Sequence, residues 1–194
     1  MWIGIALFDG AEELDFVGPW EVLSGWAKTW PEDGVEAFTV ARTTAVLQCA
    51  KGLRVIPDVD WTSAPPLDVL VYPGGKGTRR DLADPVVLDW VRSIAQRGTL
   101  MTSVCTGSLV YAAAGLLQGR PATTHWSAMA RLGELDRSIQ LRPDDRFVDD
   151  GSIITAAGVS AGIDMALHLV ARLHSADRAR SIRRAIQYDP APPA

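Results

Sequence analysis

Short apolar runs bounded by turn residues alternate along this chain with longer stretches whose apolar positions recur every three or four residues. The runs Trp2 to Leu7, Ala37 to Ala41, Val69 to Tyr72, Thr99 to Val104 and Ile153 to Ala156 predict strands. Helical periodicity covers Trp20 to Trp26, Val86 to Arg97, Ser108 to Leu117, Ala161 to Leu173 and Ala176 to Gln187. Asp84-Pro85 offers an N-cap followed by an N1 proline for the second helix, and Gly98 offers its stop. Between Thr43 and Asp60 only short β-type pieces appear, which predicts a small antiparallel hairpin added to the main sheet. Strand-helix alternation elsewhere predicts a mostly parallel sheet with helices on both faces. In such folds ligands bind beyond the carboxyl ends of the strands. The pattern reads as one domain over residues 1–189, with a short proline-rich tail at 190–194 that stops the last helix.

Composition narrows the function classes. A hydrophobic share of 47% with 22% charged residues suits a chain that buries a core, and argues against disorder. A net charge of −4 gives no broad attraction to nucleic acid or to an anionic membrane, so neither partner is expected. The late basic cluster Arg178, Arg180, Arg183 and Arg184 alternates with Ala179, Ile182, Ala185 and Ile186, the solvated face of an amphipathic helix. No apolar stretch approaches the ~20 residues that span a bilayer. Met1 leads straight into apolar residues with no basic start or small-residue cleavage site, so a cytoplasmic, reducing location is expected. There the two cysteines, Cys49 and Cys105, are weighed as buried apolar groups or reactive thiols.

Cys105 stands out by position. The strand ends at Val104, the next helix opens near Ser108, and Cys105 occupies the turn between them with small Gly107 and Ser108 beside it. That is the logic of a nucleophile elbow, in which a helix N-terminus lowers the thiol pKa and offers N–H groups to an oxyanion. A buried structural cysteine is the plainer alternative. A second strand-end loop, Tyr72-Pro73-Gly74-Gly75-Lys76-Gly77, has adjacent glycines whose N–H groups can approach a ligand, and Gly75 is placed to form half of an oxyanion hole. It matches no phosphate-binding pattern. A third loop, Glu12-Glu13-Leu14-Asp15-Phe16-Val17-Gly18-Pro19, holds carboxylates that either cap a helix starting near Pro19 or carry protons beside the thiol. His125, in Thr123-Thr124-His125-Trp126, ends a predicted strand and either faces the site or caps the next helix. His168 and His174 read as structural or exposed, Cys49 as packing, and Asp164 as a charge suited to its helix dipole. Trp20, Trp26 and Trp126 read as core aromatics. No His/Cys/Asp set has metal-ligand spacing, so no metal or cofactor is expected.

The blocks Leu14-Asp15-Phe16-Val17-Gly18-Pro19, Pro73-Gly74-Gly75, Val104-Cys105-Thr106-Gly107-Ser108, Ala122-Thr123-Thr124-His125-Trp126 and Gly158-Val159-Ser160-Ala161-Gly162-Ile163-Asp164 together resemble the ThiJ/PfpI superfamily over nearly the whole chain. Within it they look most like the isocyanide hydratases, and they are similar to the amidotransferase-like sensor domain of AraC-type regulators. The resemblance implies a flavodoxin-like three-layer α/β sandwich and a small-molecule substrate. It implies Cys105 as nucleophile and Asp15 as the acid sharing its proton. Thr106 would then line an oxyanion pocket with Gly75 and Gly74, and His125 would lie near the substrate. The protease-like branch has histidine where this chain has Thr106, so peptidase activity is not expected. The glyoxalase or deglycase branch uses glutamate where Asp15 stands, a departure from that pattern; such an enzyme, or a stress protein whose Cys105 is oxidised to a sulfinic acid, is a further alternative. The family is commonly dimeric, and a Phe16-Trp20-Leu23 helix face is a candidate contact for a homodimer. The regulators add a helix-turn-helix region beyond the sensor, so a regulator is the weaker expectation, while a stand-alone small-molecule sensor stays an alternative.

Overall fold

In the computed structural model, which describes residues 1–189, the apolar runs become the strands of one central sheet. Elements follow in the order β1 (Trp2–Ala6), α1 (Glu13–Thr29), β2 (Glu36–Ala41), β3 (Leu47–Gln48), β4 (Arg54–Val55), β5 (Val59–Asp60), β6 (Val69–Tyr72), α2 (Thr78–Asp81) and α3 (Pro85–Gln96). Then come β7 (Leu100–Val104), α4 (Gly107–Ala113), β8 (Pro121–Ala122), α5 (Met129–Leu135), β9 (Gln140–Leu141), β10 (Phe147–Asp149), β11 (Ile153–Ala156), α6 (Ala161–Leu173) and α7 (Ala176–Ala185). The sheet order is β10-β11-β7-β6-β1-β2-β5, parallel except at the β10–β11 edge. The tail at 190–194 lies outside the described residues.

Alternation within the strands sets the layers. Ile3, Ile5, Val69 and Val71 pack with α1, α6 and α7. Leu70, Tyr72 and Met101 pack on the other side with α3, α4 and α5. The result is a flavodoxin-like three-layer sandwich. Helices α1 and α6 cross closely because glycines stand where they meet. A Cβ on Gly18 would lie 2.9 Å from Ile163, and one on Gly162 would lie 3.2 Å from Pro19.

Asp84 accepts from the Val86 N–H at 2.9 Å and Pro85 opens α3, as predicted, while Gly98 follows its end with φ of 84°. The β3–β4 pair is the predicted antiparallel hairpin, whereas β5 leaves that region to join the main sheet beside β2. Other expectations need correction. Helix α1 begins at Glu13, and Pro19 lies inside it. Pro19 falls in the second turn, where the helix forgoes the bond its N–H would give to the Asp15 carbonyl, and its ring packs against Gly162. Helix α4 ends at Ala113 rather than Leu117, because Gly115 takes a left-handed φ of 79°. Phe16 and Leu23 are buried in the chain's own core, so the Phe16-Trp20-Leu23 face is not free to meet a second copy. Trp26 is a core residue and Trp20 packs half-buried against the same cluster, but Trp126 is 80% exposed. Cys49 is buried in the α1-side core.

Gly107, the first residue of α4, sits against the end of β6: a Cβ there would lie 2.2 Å from the Tyr72 carbonyl oxygen. Backbone on both sides leaves little room to relax, so Gly107→Ala should cost at least ~1–3 kcal/mol. Chemical denaturation should show a lower midpoint with an unchanged slope.

Candidate active site

The chain order of the sheet reverses between β1 and β6, and the loops after β1, β6, β7 and β11 meet over that crevice. Cys105 forms the turn from β7 into α4 with φ of 56°, left-handed backbone that is costly for a residue with a Cβ. Four hydrogen bonds hold it there. Its N–H is shared between the carbonyls of Ala156 (3.1 Å) and Ala157 (3.0 Å). Its carbonyl accepts from Thr124 Oγ1 (2.8 Å) and Ser108 Oγ (3.2 Å). Sequence reading gave Thr124 and Ser108 no such role, since only the folded turn brings their hydroxyls to this carbonyl.

Asp15 lies in the first turn of α1 with no exposed surface, and its Oδ2 accepts the Gly74 N–H at 2.9 Å. Its Oδ1 makes no hydrogen bond of normal geometry; the Cys105 thiol and the Val159 N–H face the carboxyl. Burial raises the Asp15 pKa to about 6, opposed by these N–H groups and the thiol. Burial, and next the Asp15 carboxylate, pushes Cys105 up to about 12, while the N–H groups of Thr106 and Val159 act the other way. Acid and thiol are thus coupled, and the pair keeps one proton through neutral pH.

Glycines let the β6 loop close over this pair. A Cβ on Gly74 would lie 2.5 Å from Thr106 N and 2.8 Å from Asp15 Oδ2. Gly75 has φ of 117°, and a Cβ there would meet Glu12 N and the Gly10 carbonyl at 2.4 Å. Of the three residues expected in an oxyanion pocket, Gly74 gives its N–H to Asp15 instead, and the Thr106 N–H faces the Cys105 sulfur. That of Gly75 instead donates to Thr106 Oγ1 at 3.0 Å. Buried Thr78 completes this cluster, donating to the Gly75 carbonyl at 2.8 Å with its oxygen 3.1 Å from Thr106 Oγ1.

Val159, in the loop after β11, is the residue that sequence reasoning left without a role. Its φ of 51° is an outlier for a β-branched side chain, and it aims an N–H at both Asp15 and Cys105. Nothing in the sequence signals a valine in left-handed backbone. His125 combines both of its expected readings. Its Nδ1 accepts from the Ser127 N–H at 3.3 Å and caps the short turn at Trp126–Ala128. Its ring packs against Gly158 and lines the cavity above Cys105. That cavity has a volume of about 700 Å³ and also touches Gly75, Thr106 and Val159. His168 and His174 lie elsewhere, against Asp149 (2.7 Å) and Asp33 (3.2 Å). Among the described residues no group of three His, Cys, Asp or Glu side chains is arranged to hold a metal ion.

With this geometry in place, comparison with known proteins is informative. Residues 1–172 match the DJ-1/PfpI family. The chain belongs to that family. An isonitrile hydratase of Pseudomonas putida is 40% identical over 191 residues, 98% of this chain and 80% of the relative. The HTH-type transcriptional regulator GbdR of Pseudomonas aeruginosa is 31% identical over 138 residues, 71% of this chain but 37% of the regulator. A ThiJ/PfpI family protein from Pseudomonas syringae superposes with a TM-score of 0.88 at 33% identity, covering 100% of this chain and 77% of that one. DJ-1beta of Drosophila melanogaster shares the fold, with a TM-score of 0.85 at 22% identity, covering 97% and 98%. Within this DJ-1/PfpI chain, the pairing of acid and thiol has two measurable consequences.

Asp15→Asn removes the carboxylate that raises Cys105, so the thiol should titrate at lower pH than in the wild type. Ultraviolet thiolate absorbance, with Cys105→Ala as blank, reads this directly. The same substitution should alter stability. A carboxyl whose pKa rises from 3.8 to about 6 on folding adds stability at low pH that disappears as pH climbs through that window. Relative to the wild type, Asp15→Asn should therefore gain ~3 kcal/mol across it. Denaturation midpoints on either side of the window measure the difference.

Proposed function

We propose that this protein is a cysteine-dependent hydratase that converts an isocyanide and water to an N-formamide. The buried Asp15–Cys105 pair, holding one proton between an acid and a thiol, is the observation that carries the reading. The 40% identity to an isonitrile hydratase over nearly the full chain supports it.

The Cys105 sulfur attacks the terminal carbon of R–N≡C, forming the C–S bond. The proton shared with Asp15 is delivered to that same carbon, giving the thioimidate R–N=CH–S–Cys105. Water then adds to the thioimidate carbon as Asp15 relays a proton to nitrogen. The tetrahedral adduct expels the thiol, releasing R–NH–CHO and restoring the original proton. Covalent attachment divides one difficult hydration into two easier steps. The Thr106 N–H, already facing the sulfur, supports charge that gathers there. For the Gly75 N–H to join it, its bond to Thr106 Oγ1 must be given up.

The protein acts in the cytoplasm as a homodimer in this reading. Leu14 and Val17, three residues apart on α1, are 37% and 38% exposed and form an apolar pair for a second copy to cover. Sedimentation should find a dimer in the wild type and a monomer in Leu14→Glu/Val17→Glu.

Turnover of an aryl isocyanide to its formamide is the test. Cys105→Ala should abolish it, and Asp15→Asn should lower kcat/KM by about 100-fold or more. Activity that survives Cys105→Ala overturns the covalent route. A folded, reduced wild type that is inert overturns the hydratase reading, and ligand binding without turnover then favours a sensor.

A further inference from the structure

The cavity above Cys105 is unevenly charged. Its floor holds the thiol, and its wall is apolar, formed by Leu82, Ala83, Leu109, Ala128 and Leu135. Four charged side chains line it besides: Glu12, Lys76, Arg79 and Arg131. Glu12 is ion-paired with Lys51 from outside the cavity, an ammonium it shares with Glu13 at 3.8 Å. Arg131 is matched by Glu134 at 3.1 Å. Lys76 and Arg79 are different: among the described residues neither side chain makes an ion pair or a hydrogen bond. Two uncompensated cations thus edge this cavity in a protein whose overall charge is −4.

Position strengthens the point. Lys76 directly follows the Gly74-Gly75 turn that closes over the reacting pair, and Arg79 lies one turn further on in α2. An isocyanide carbon is small and needs only the floor of a cavity of about 700 Å³. The remaining space joins an apolar wall to a cationic rim, a combination suited to an amphipathic molecule rather than to a neutral one. A guanidinium receives a carboxylate through paired N–H bonds, and an ammonium beside it adds charge.

We infer that the substrate carries a carboxylate, separated from its reacting end by an apolar body, and that Arg79 and Lys76 receive it. As a statement about an isocyanide, this rests on the hydratase reading above. As a statement about the cavity's charge preference, it can be tested without that reading.

Two measurements keep them apart. In the first, Cys105 is alkylated with iodoacetate or with neutral iodoacetamide; in both, the S–C bond forms and iodide leaves. The rate at the Cys105 peptide is followed by mass spectrometry, which separates it from Cys49. The iodoacetate-to-iodoacetamide rate ratio should fall by about threefold to tenfold in Lys76→Gln/Arg79→Gln relative to the wild type. Comparing ratios cancels the repulsion that Asp15 exerts on the anion in both proteins. An unchanged ratio overturns the inference whatever the reaction is. In the second, 4-isocyanobenzoate is compared with its methyl ester. The wild type should favour the acid in kcat/KM by about tenfold, and the double variant should lose that preference. Equal or reversed preference in the wild type overturns the carboxylate assignment. If neither compound turns over while the alkylation ratio still falls, the hydratase reading fails and the charge preference stands.

Discussion

A carboxyl group and a thiol enclosed together, away from water, cannot both ionise, and much of the architecture around Cys105 serves that constraint. Asp15 has no exposed surface and receives one firm hydrogen bond, from the Gly74 N–H. Burial raises the carboxyl pKa, yet it remains the group that ionises at neutral pH, while the thiol beside that charge keeps its proton. The N–H groups of Thr106 and Val159 favour charge on the same sulfur. Burial and N–H donors pull in opposite directions, and burial prevails at both groups.

Holding that balance requires backbone where side chains would ordinarily go. Cys105 and Val159 both take left-handed φ values, and each strained residue presents a polar atom to the pair. Glycines at 74, 75 and 107 let three loops approach to distances that any Cβ would block. The strain is supported from outside the site, by the close α1–α6 crossing and by the hydroxyls of Thr124 and Ser108 on the Cys105 carbonyl. A rigid sheet with helices on both faces can support such geometry; an isolated turn could not.

The DJ-1/PfpI fold therefore separates two design problems. The proton pair at the floor belongs to loops fixed by the sheet, and its chemistry depends on burial. The rim belongs to α2, to α5 and to the turn beside His125, where exposed side chains can change charge without disturbing the core. Relatives that share the fold yet bear names as different as hydratase, glyoxalase and transcriptional regulator are consistent with that division.

Much of this was legible from residue order. Apolar runs of four to six residues located β1, β2, β6, β7 and β11, because strands buried on both faces need continuous hydrophobicity. The short strands β9 and β10 were not legible, since two or three residues carry little periodicity, and the strand expected to end at His125 stops at Ala122 as β8. Cys105 and Gly74 were marked by their place at strand ends and Asp15 only by the family resemblance, and the fold brings them together. Pro19 misled the reading of α1, since a proline looks like a helix start even when the helix began six residues earlier. What residue order determined by itself was the layering and the turn that carries Cys105, both set by local pattern and steric rules. What only the tertiary structure decided was the burial of Asp15, the donors Val159 and Thr106 around the sulfur, and the occupation of the Gly75 N–H. These depend on distances between segments far apart in the chain, which periodicity cannot encode.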